Sequence, residues 1–283
     1  MKRLLYLIII SLALVGCTNR NKNIHSQVPT VTVTIEPFRY FVNQIAGNKV
    51  NVNVMVPAGS NPETYEPTAR QMVELSKSIL YFKVGRIGFE ETWMKKLMQN
   101  APDMKVIDTS VGIRPAKTDG GIIDPHTWMS ISSVRIITKN IYETLCKQQP
   151  KDSNEFKSNY ALFIKRLNSL EKQIALLMTK SNHSHVKSFI IYHPALTYFA
   201  RDYGITQLPI EEEGREPSIA QIQALIDKAK REVITTVFIQ KEFANRNTQT
   251  FLNATHTHPI EINPLRYDWD TEMIHIAKKL SNK

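Results

Sequence analysis

Apolar positions along this chain switch repeatedly between two spacings. Short runs rich in β-branched and apolar residues read as strands: VTVTI (31–35), NVNVMV (51–56) and ILYFKVG (79–85) in the first half. SFIIYH (188–193), ITQLPI (205–210), TTVFIQ (235–240) and PIEIN (259–263) repeat the style in the second half. Between them, apolar residues recur every three or four positions, as helices require. Examples are Met72 and Leu75 after the start signal Glu66-Pro67-Thr68, the series Val134, Ile137, Ile141 and Leu145, and Ile219, Ile222, Leu225 and Ala229 after Glu216-Pro217-Ser218. Buried strands alternating with helices predict an α/β fold of two lobes, each a mainly parallel sheet of about four strands flanked by helices.

The longest periodic segment lies between the two halves. Phe156, Tyr160, Phe163, Leu167, Leu170, Ile174 and Leu177 form a single apolar stripe. It predicts one rigid helix of roughly 28 residues, about 42 Å long at 1.5 Å per residue, joining the lobes and restricting them to small tilts. A coiled-coil partner would also suit such a stripe. Packing against the chain's own lobes is the simpler expectation. The organisation expected is a first lobe over 31–150, a linking helix over 151–182 and a second lobe over 183–283.

The amino terminus changes the reading of the charge. With 36 basic and 26 acidic side chains the formal net charge is +10, which alone would raise nucleic acid as a partner. But Lys2 and Arg3 precede the apolar run Leu4 to Val15, which is too short to span a bilayer and suits the hydrophobic region of a signal peptide. It ends in Leu14-Val15-Gly16-Cys17, which resembles a bacterial lipobox. Residues 1–16 are therefore expected to be a cleaved signal peptide, Cys17 a lipidated residue, and 17–30 a polar tether. The expected location is the periplasm or the outer face of the cell membrane, with no nucleic-acid partner. After cleavage Cys146 would be the only thiol without lipid, so no intrachain disulfide is expected.

Histidines carry the candidate chemistry. His183 with His185 and His256 with His258 form two H-x-H pairs in polar turns, and His275 falls within the last helix. His126, in Asp124-Pro125-His126-Thr127-Trp128, and His193, at the end of a buried strand, stand apart. Loops leaving the carboxyl ends of parallel strands form the crevice in which α/β proteins bind ligands. Glu63 lies in the loop after NVNVMV, and Asn263 ends PIEIN. Two polar residues from each half thus converge as potential metal ligands on an interlobe cleft.

The segments GSNPETYEP, DPHTW, YHPALTYFARDYG, EEEGREPS and INPLRYDW, in this order, resemble the metal-binding subgroup of ABC-transporter solute-binding proteins. The resemblance runs from about residue 30 to the end. It implies two α/β lobes joined by one long helix, and capture of zinc or manganese for an ABC permease by a lipid-anchored, monomeric receptor. His126 and His193 match the family's second and third ligands. The first, normally histidine, is Glu63 here, and the fourth, normally aspartate, is Asn263, with Asp268 as a substitute carboxylate. The histidine-rich loop of some zinc members is missing: residues 112–121 contain no histidine. Two imidazoles with a carboxylate put Zn²⁺ first, with Mn²⁺ or Fe²⁺ as alternatives.

Two other functions compete. A metal-dependent hydrolase would use Glu63, His126 and His193 around a bound water, with Asp268 or one of Glu211, Glu212 and Glu213 as general base. An adhesin-like surface lipoprotein would use metal only to support the fold. No hydrolytic motif such as H-E-x-x-H is present, so no enzyme activity is expected.

Overall fold

A computed structural model describes residues 28–118, 120–180, 187–211, 217–240 and 246–281. The signal peptide, Cys17 and most of the tether lie outside the described residues, as do His183, His185, Glu212 and Glu213.

The first lobe begins with β1 (Thr30–Val33), α1 (Glu36–Ala46), β2 (Asn51–Val54), α2 (Ala69–Leu75), β3 (Ser78–Lys83), α3 (Gly88–Asn100) and β4 (Lys105–Asp108). All pairings are parallel and the strand order is β2-β1-β3-β4. Local chemistry sets the helix ends. Pro37 opens the first turn of α1, where a missing N–H costs nothing, and Gly47 closes it at φ 58°. Thr68 and Gln71 satisfy each other's backbone groups in a capping box that starts α2.

After a 3-10 turn over Thr127–Met129 come α4 (Ile131–Gln148) and α5 (Ser153–Lys180). The second lobe follows: β5 (Ser188–Ile191), α6 (Thr197–Tyr203), β6 (Thr206–Pro209), α7 (Ile219–Arg231), β7 (Val237–Gln240), α8 (Arg246–Thr255), β8 (Pro259–Ile262) and α9 (Trp269–Ser281). Its sheet is again parallel, in the order β6-β5-β7-β8. Two four-stranded parallel sheets joined by a long helix match the expected architecture.

The helix α5 spans 28 residues. Phe156, Phe163, Leu167, Leu170 and Ile174 are buried, and the stripe packs on α9, α4 and α1. Its apolar face is therefore spent within the chain. One continuous core runs from Phe38 and Leu80 in the first lobe through α5 to Phe189, Phe238 and Met273 in the second. A smaller core lies between the second sheet and α7 with α8, built from Ile190, Ile226 and Phe251. Because side chains alternate along a strand, Phe189 and Ile191 of β5 enter the shared core while Ile190 enters the smaller one.

Direct bonds also cross between the lobes. The Trp128 indole N–H donates to the carbonyl of Pro264 at 2.8 Å, and that of Trp269 donates to the carbonyl of Trp128 at 2.7 Å. Ser130 donates to Asp202 at 2.5 Å. These indole and hydroxyl groups are buried, so each bond also avoids leaving a polar group without a partner.

Candidate metal centre

Both sheets turn the loops at their strand ends toward one cavity of about 1020 Å³, lined among others by Glu63, Asp124, His126, His193 and Glu211. Each of these side chains is positioned by local bonds. The Asn61 side chain accepts from the Glu63 N–H at 2.8 Å, which bends the loop after β2. The Gly88 N–H then donates to Glu63 Oε2 at 3.1 Å. Gly88 leaves room for this contact: a Cβ at that position would lie 2.3 Å from Glu63 Oε2, so the carboxylate would have to move.

His126 is buried at the end of the loop leaving β4. Asp124, almost fully buried, accepts from the His126 N–H at 2.6 Å and from the imidazole Nδ1 at 2.9 Å. The other carboxylate oxygen of Asp124 accepts from Thr197 at 2.5 Å, and Tyr198 donates to the Asp124 carbonyl at 2.9 Å. The support of His126 thus comes partly from the second lobe. His193 follows β5, and Gln240 at the end of β7 brackets its peptide: the side-chain oxygen accepts from the His193 N–H and the amide donates to its carbonyl at 2.7 Å. Both oxygens of the buried Glu211 lie 3.3 Å from His193 Nδ1.

Each imidazole therefore turns Nδ1 toward a carboxylate and Nε2 into the cleft. A carboxylate accepts, so Nδ1 carries the proton and Nε2 presents a lone pair. The two Nε2 atoms are 3.2 Å apart. Two lone pairs at that distance repel unless a proton or a cation stands between them. Two nitrogens bound at about 2.0–2.1 Å to one tetrahedral Zn²⁺ would be separated by about 3.3 Å. The spacing fits two ligands on one ion, and it equally fits one N–H···N hydrogen bond between the rings.

The electrostatics agree. Burial pushes the Asp124 carboxyl up, but the charge of His126 and hydrogen bonds from His126 and Thr197 outweigh it and hold the group below the usual aspartate range. Burial lowers His126, but Asp124 by charge and hydrogen bond, with further help from Glu63 and Glu211, raises it above its ordinary value. The surroundings of His126 thus favour a positive charge.

The structure brings Glu63, His126 and His193 to one cavity and does not bring Asn263 or Asp268 there. Asn263 is exposed; its side-chain oxygen accepts from the Leu265 N–H at 3.0 Å and its own N–H donates to Glu272 at 2.7 Å. Asp268 is exposed 3.8 Å from Arg266. Among the described residues, no three His, Cys, Asp or Glu side chains close into a complete metal cluster. The preformed part is the histidine pair, with Glu63 parked on Gly88. Sequence reasoning did not single out Asp124 as a functional group and offered Glu211 only as one of several candidates for a general base. The signal for Asp124 was its place two residues before His126. For Glu211 it was its place directly after an apolar strand.

A family model described as zinc-uptake complex component A, periplasmic (ZnuA), matches residues 31–281. The chain is 27% identical over 273 residues to the zinc-binding lipoprotein AdcA of Streptococcus pneumoniae strain R6, covering 90% of this chain and 53% of AdcA. It therefore spans about half the length of that relative. It is 25% identical over 280 residues to the manganese ABC transporter substrate-binding lipoprotein ScaA of Streptococcus gordonii, covering 90% of this chain and 87% of ScaA. A crystal structure of a ZnuA deletion mutant with zinc bound is 33% identical, with a TM-score of 0.85 over 90% of this chain and 97% of that one.

Proposed function

The chain belongs to the ZnuA family of periplasmic zinc-uptake components, and from that premise we propose that it captures a divalent transition metal, zinc foremost, in the interlobe cleft and delivers it to an ABC permease. His126 and His193 bind the ion through Nε2. Glu63 leaves the Gly88 N–H by rotation of its side chain and supplies the anionic third ligand. Asn263 and Asp268 stand outside the cavity and take no part in this ligand set. Mn²⁺ or Fe²⁺ would suit the same donors.

The observation that carries the reading is the pair of opposed Nε2 atoms at 3.2 Å, each fixed by a carboxylate on its far side. Asp124 and Glu211 hold the rings in the tautomer that a metal needs, which lowers the reorganisation on binding. The AdcA and ScaA names pair zinc and manganese with lipoproteins of similar sequence, which supports both the cargo and an anchor at Cys17. The protein then works as a monomer tethered at the outer face of the cell membrane, with residues 31–150 and 183–283 as lobes and 151–182 as the linking helix. It turns over no substrate. Glu211, one of the residues a hydrolase would use as base, faces Nδ1 of His193, and Asp268 lies outside the cavity.

Calorimetric titration of the metal-stripped chain with zinc tests this reading. One-to-one binding that is lost in both His126→Ala and His193→Ala is the expected result. Unchanged zinc affinity in both variants would overturn the placement of the site.

A further inference from the structure

A cavity of about 1020 Å³ is far larger than a bare ion requires, since even a water molecule accounts for only about 30 Å³ in the liquid. Its size belongs to sites for small organic molecules, which fall at roughly 300–1,000 Å³. Its walls fit that class as well. Ile122, Ile205 and Leu225 give it apolar surface that a metal ion alone cannot use.

The charges are more telling. Arg86, Lys117 and Lys228 line the same cavity. None of the three has an ion-pair partner among the described residues. The acids behind the histidines are already engaged, Asp124 with His126 and Thr197 and Glu211 with His193, and Glu91 is a further acid in the lining, which the three cations outnumber. Three unpaired cations would repel an incoming dication, so they do not serve the metal directly. They suit an anion. The ligand set also leaves room for one, because Asn263 turns away and three protein donors leave at least one coordination position open.

Resting on the metal-capture reading above, we propose that this cleft takes its metal together with a small polycarboxylate chelator. His126, His193 and Glu63 hold the ion, a carboxylate of the chelator completes its coordination, and Arg86, Lys117 and Lys228 receive the remaining carboxylates. Charged hydrogen bonds of this kind are the strong ones, and the arginine fork is shaped for a carboxylate. The apolar wall covers the carbon skeleton.

The test uses the full chain, stripped of metal, with zinc buffered to the same free concentration in the presence of citrate, inorganic phosphate or acetate. The expected result is a zinc affinity at least tenfold tighter in citrate than in acetate, with native mass spectrometry giving a one-to-one-to-one species of protein, zinc and citrate. An Arg86→Ala/Lys117→Ala/Lys228→Ala variant is expected to lose that enhancement while binding zinc in acetate at least as tightly as the parent, since three charges that repel the ion are gone. An enhancement by phosphate equal to that by citrate would overturn the polycarboxylate assignment. Zinc binding with no ternary species overturns this proposal and leaves metal capture standing. No zinc binding in any of the three solutions overturns both.

Discussion

Replacing Asp124 by asparagine removes one negative charge from behind His126 and leaves nearly all of the geometry in place. The retained oxygen still accepts from the His126 N–H and from Nδ1, now at 2.6 and 2.9 Å from Asp124 Oδ1. The new amide group replaces the oxygen that accepts from Thr197 at 2.5 Å, and the hydroxyl can turn to accept instead. What disappears is the charge that makes Nε2 a better donor and raises His126 above its ordinary 6.5. Losing such an outer partner typically weakens metal binding about 10- to 100-fold, or roughly 1.4–2.7 kcal/mol. Competition with a zinc chromophore at pH 7.5 would measure it. The pH dependence gives an independent check. A metal binds only the neutral imidazole, so in the parent chain protons compete with zinc up to a pH above 6.5. In Asp124→Asn that competition moves to lower pH, because burial of His126 then meets less opposition. An affinity within twofold of the parent, together with an unmoved pH break, would refute the argument.

Gly88→Ala puts a Cβ 2.3 Å from Glu63 Oε2 and 3.3 Å from Glu63 Cα, so the carboxylate must leave its seat. Because Glu63 must leave that seat to reach the metal, zinc affinity is expected to rise, by up to about tenfold or about 1.4 kcal/mol, in the same competition assay. Glu90 is buried, and burial pushes its carboxyl up to about 7 against the pull of Thr34 and the Val84 and Gly85 N–H groups. Between its ordinary value of 4.5 and about 7 the folded chain holds the extra proton, so stability from this group is full at low pH and falls as pH rises through that window. The loss is on the order of 3 kcal/mol, and urea midpoints at pH 5 and pH 8 should show it in the parent and not in Glu90→Gln. Trp128→Phe removes the indole donor to Pro264 O and leaves that carbonyl unpaired in the interlobe core. Thermal or urea unfolding should show a cost of about 1–3 kcal/mol.

The parts of this fold that were legible are those whose period is long or whose strands are apolar throughout. The stripe from Phe156 to Leu177 foretold α5 because seven regularly spaced residues leave helix as the only secondary structure that fits, whatever covers its face. Strand β4 was not foreseen. It is four residues, KVID, with charged ends and no buried side chain, so neither alternation nor an apolar run marks it, and only its pairing with β3 makes it a strand. In the cleft, His126 was legible because it stands in the segment Asp124-Pro125-His126-Thr127-Trp128 just before a helix, and His193 because it ends a buried strand. Asn263 looked equivalent by the same rule. Its side chain instead closes a local turn onto Leu265, a choice made by the geometry of Pro264 and Leu265 rather than by residue type. Glu211 is buried because its N–H extends the β5–β6 pairing to the Tyr192 carbonyl, a contact invisible in a run of three glutamates.

The core that passes unbroken through α5 from one lobe into the other has a mechanical consequence. Swinging the lobes apart would tear apolar packing at several aromatic rings and strip the two tryptophan indoles of their acceptors, a cost far above thermal energy. On the metal-capture reading proposed above, a chain built this way keeps nearly the same silhouette loaded or empty, and a membrane partner would tell the two states apart by what changes locally: the charge at the mouth of the cleft and the posture of the short loop carrying Glu63.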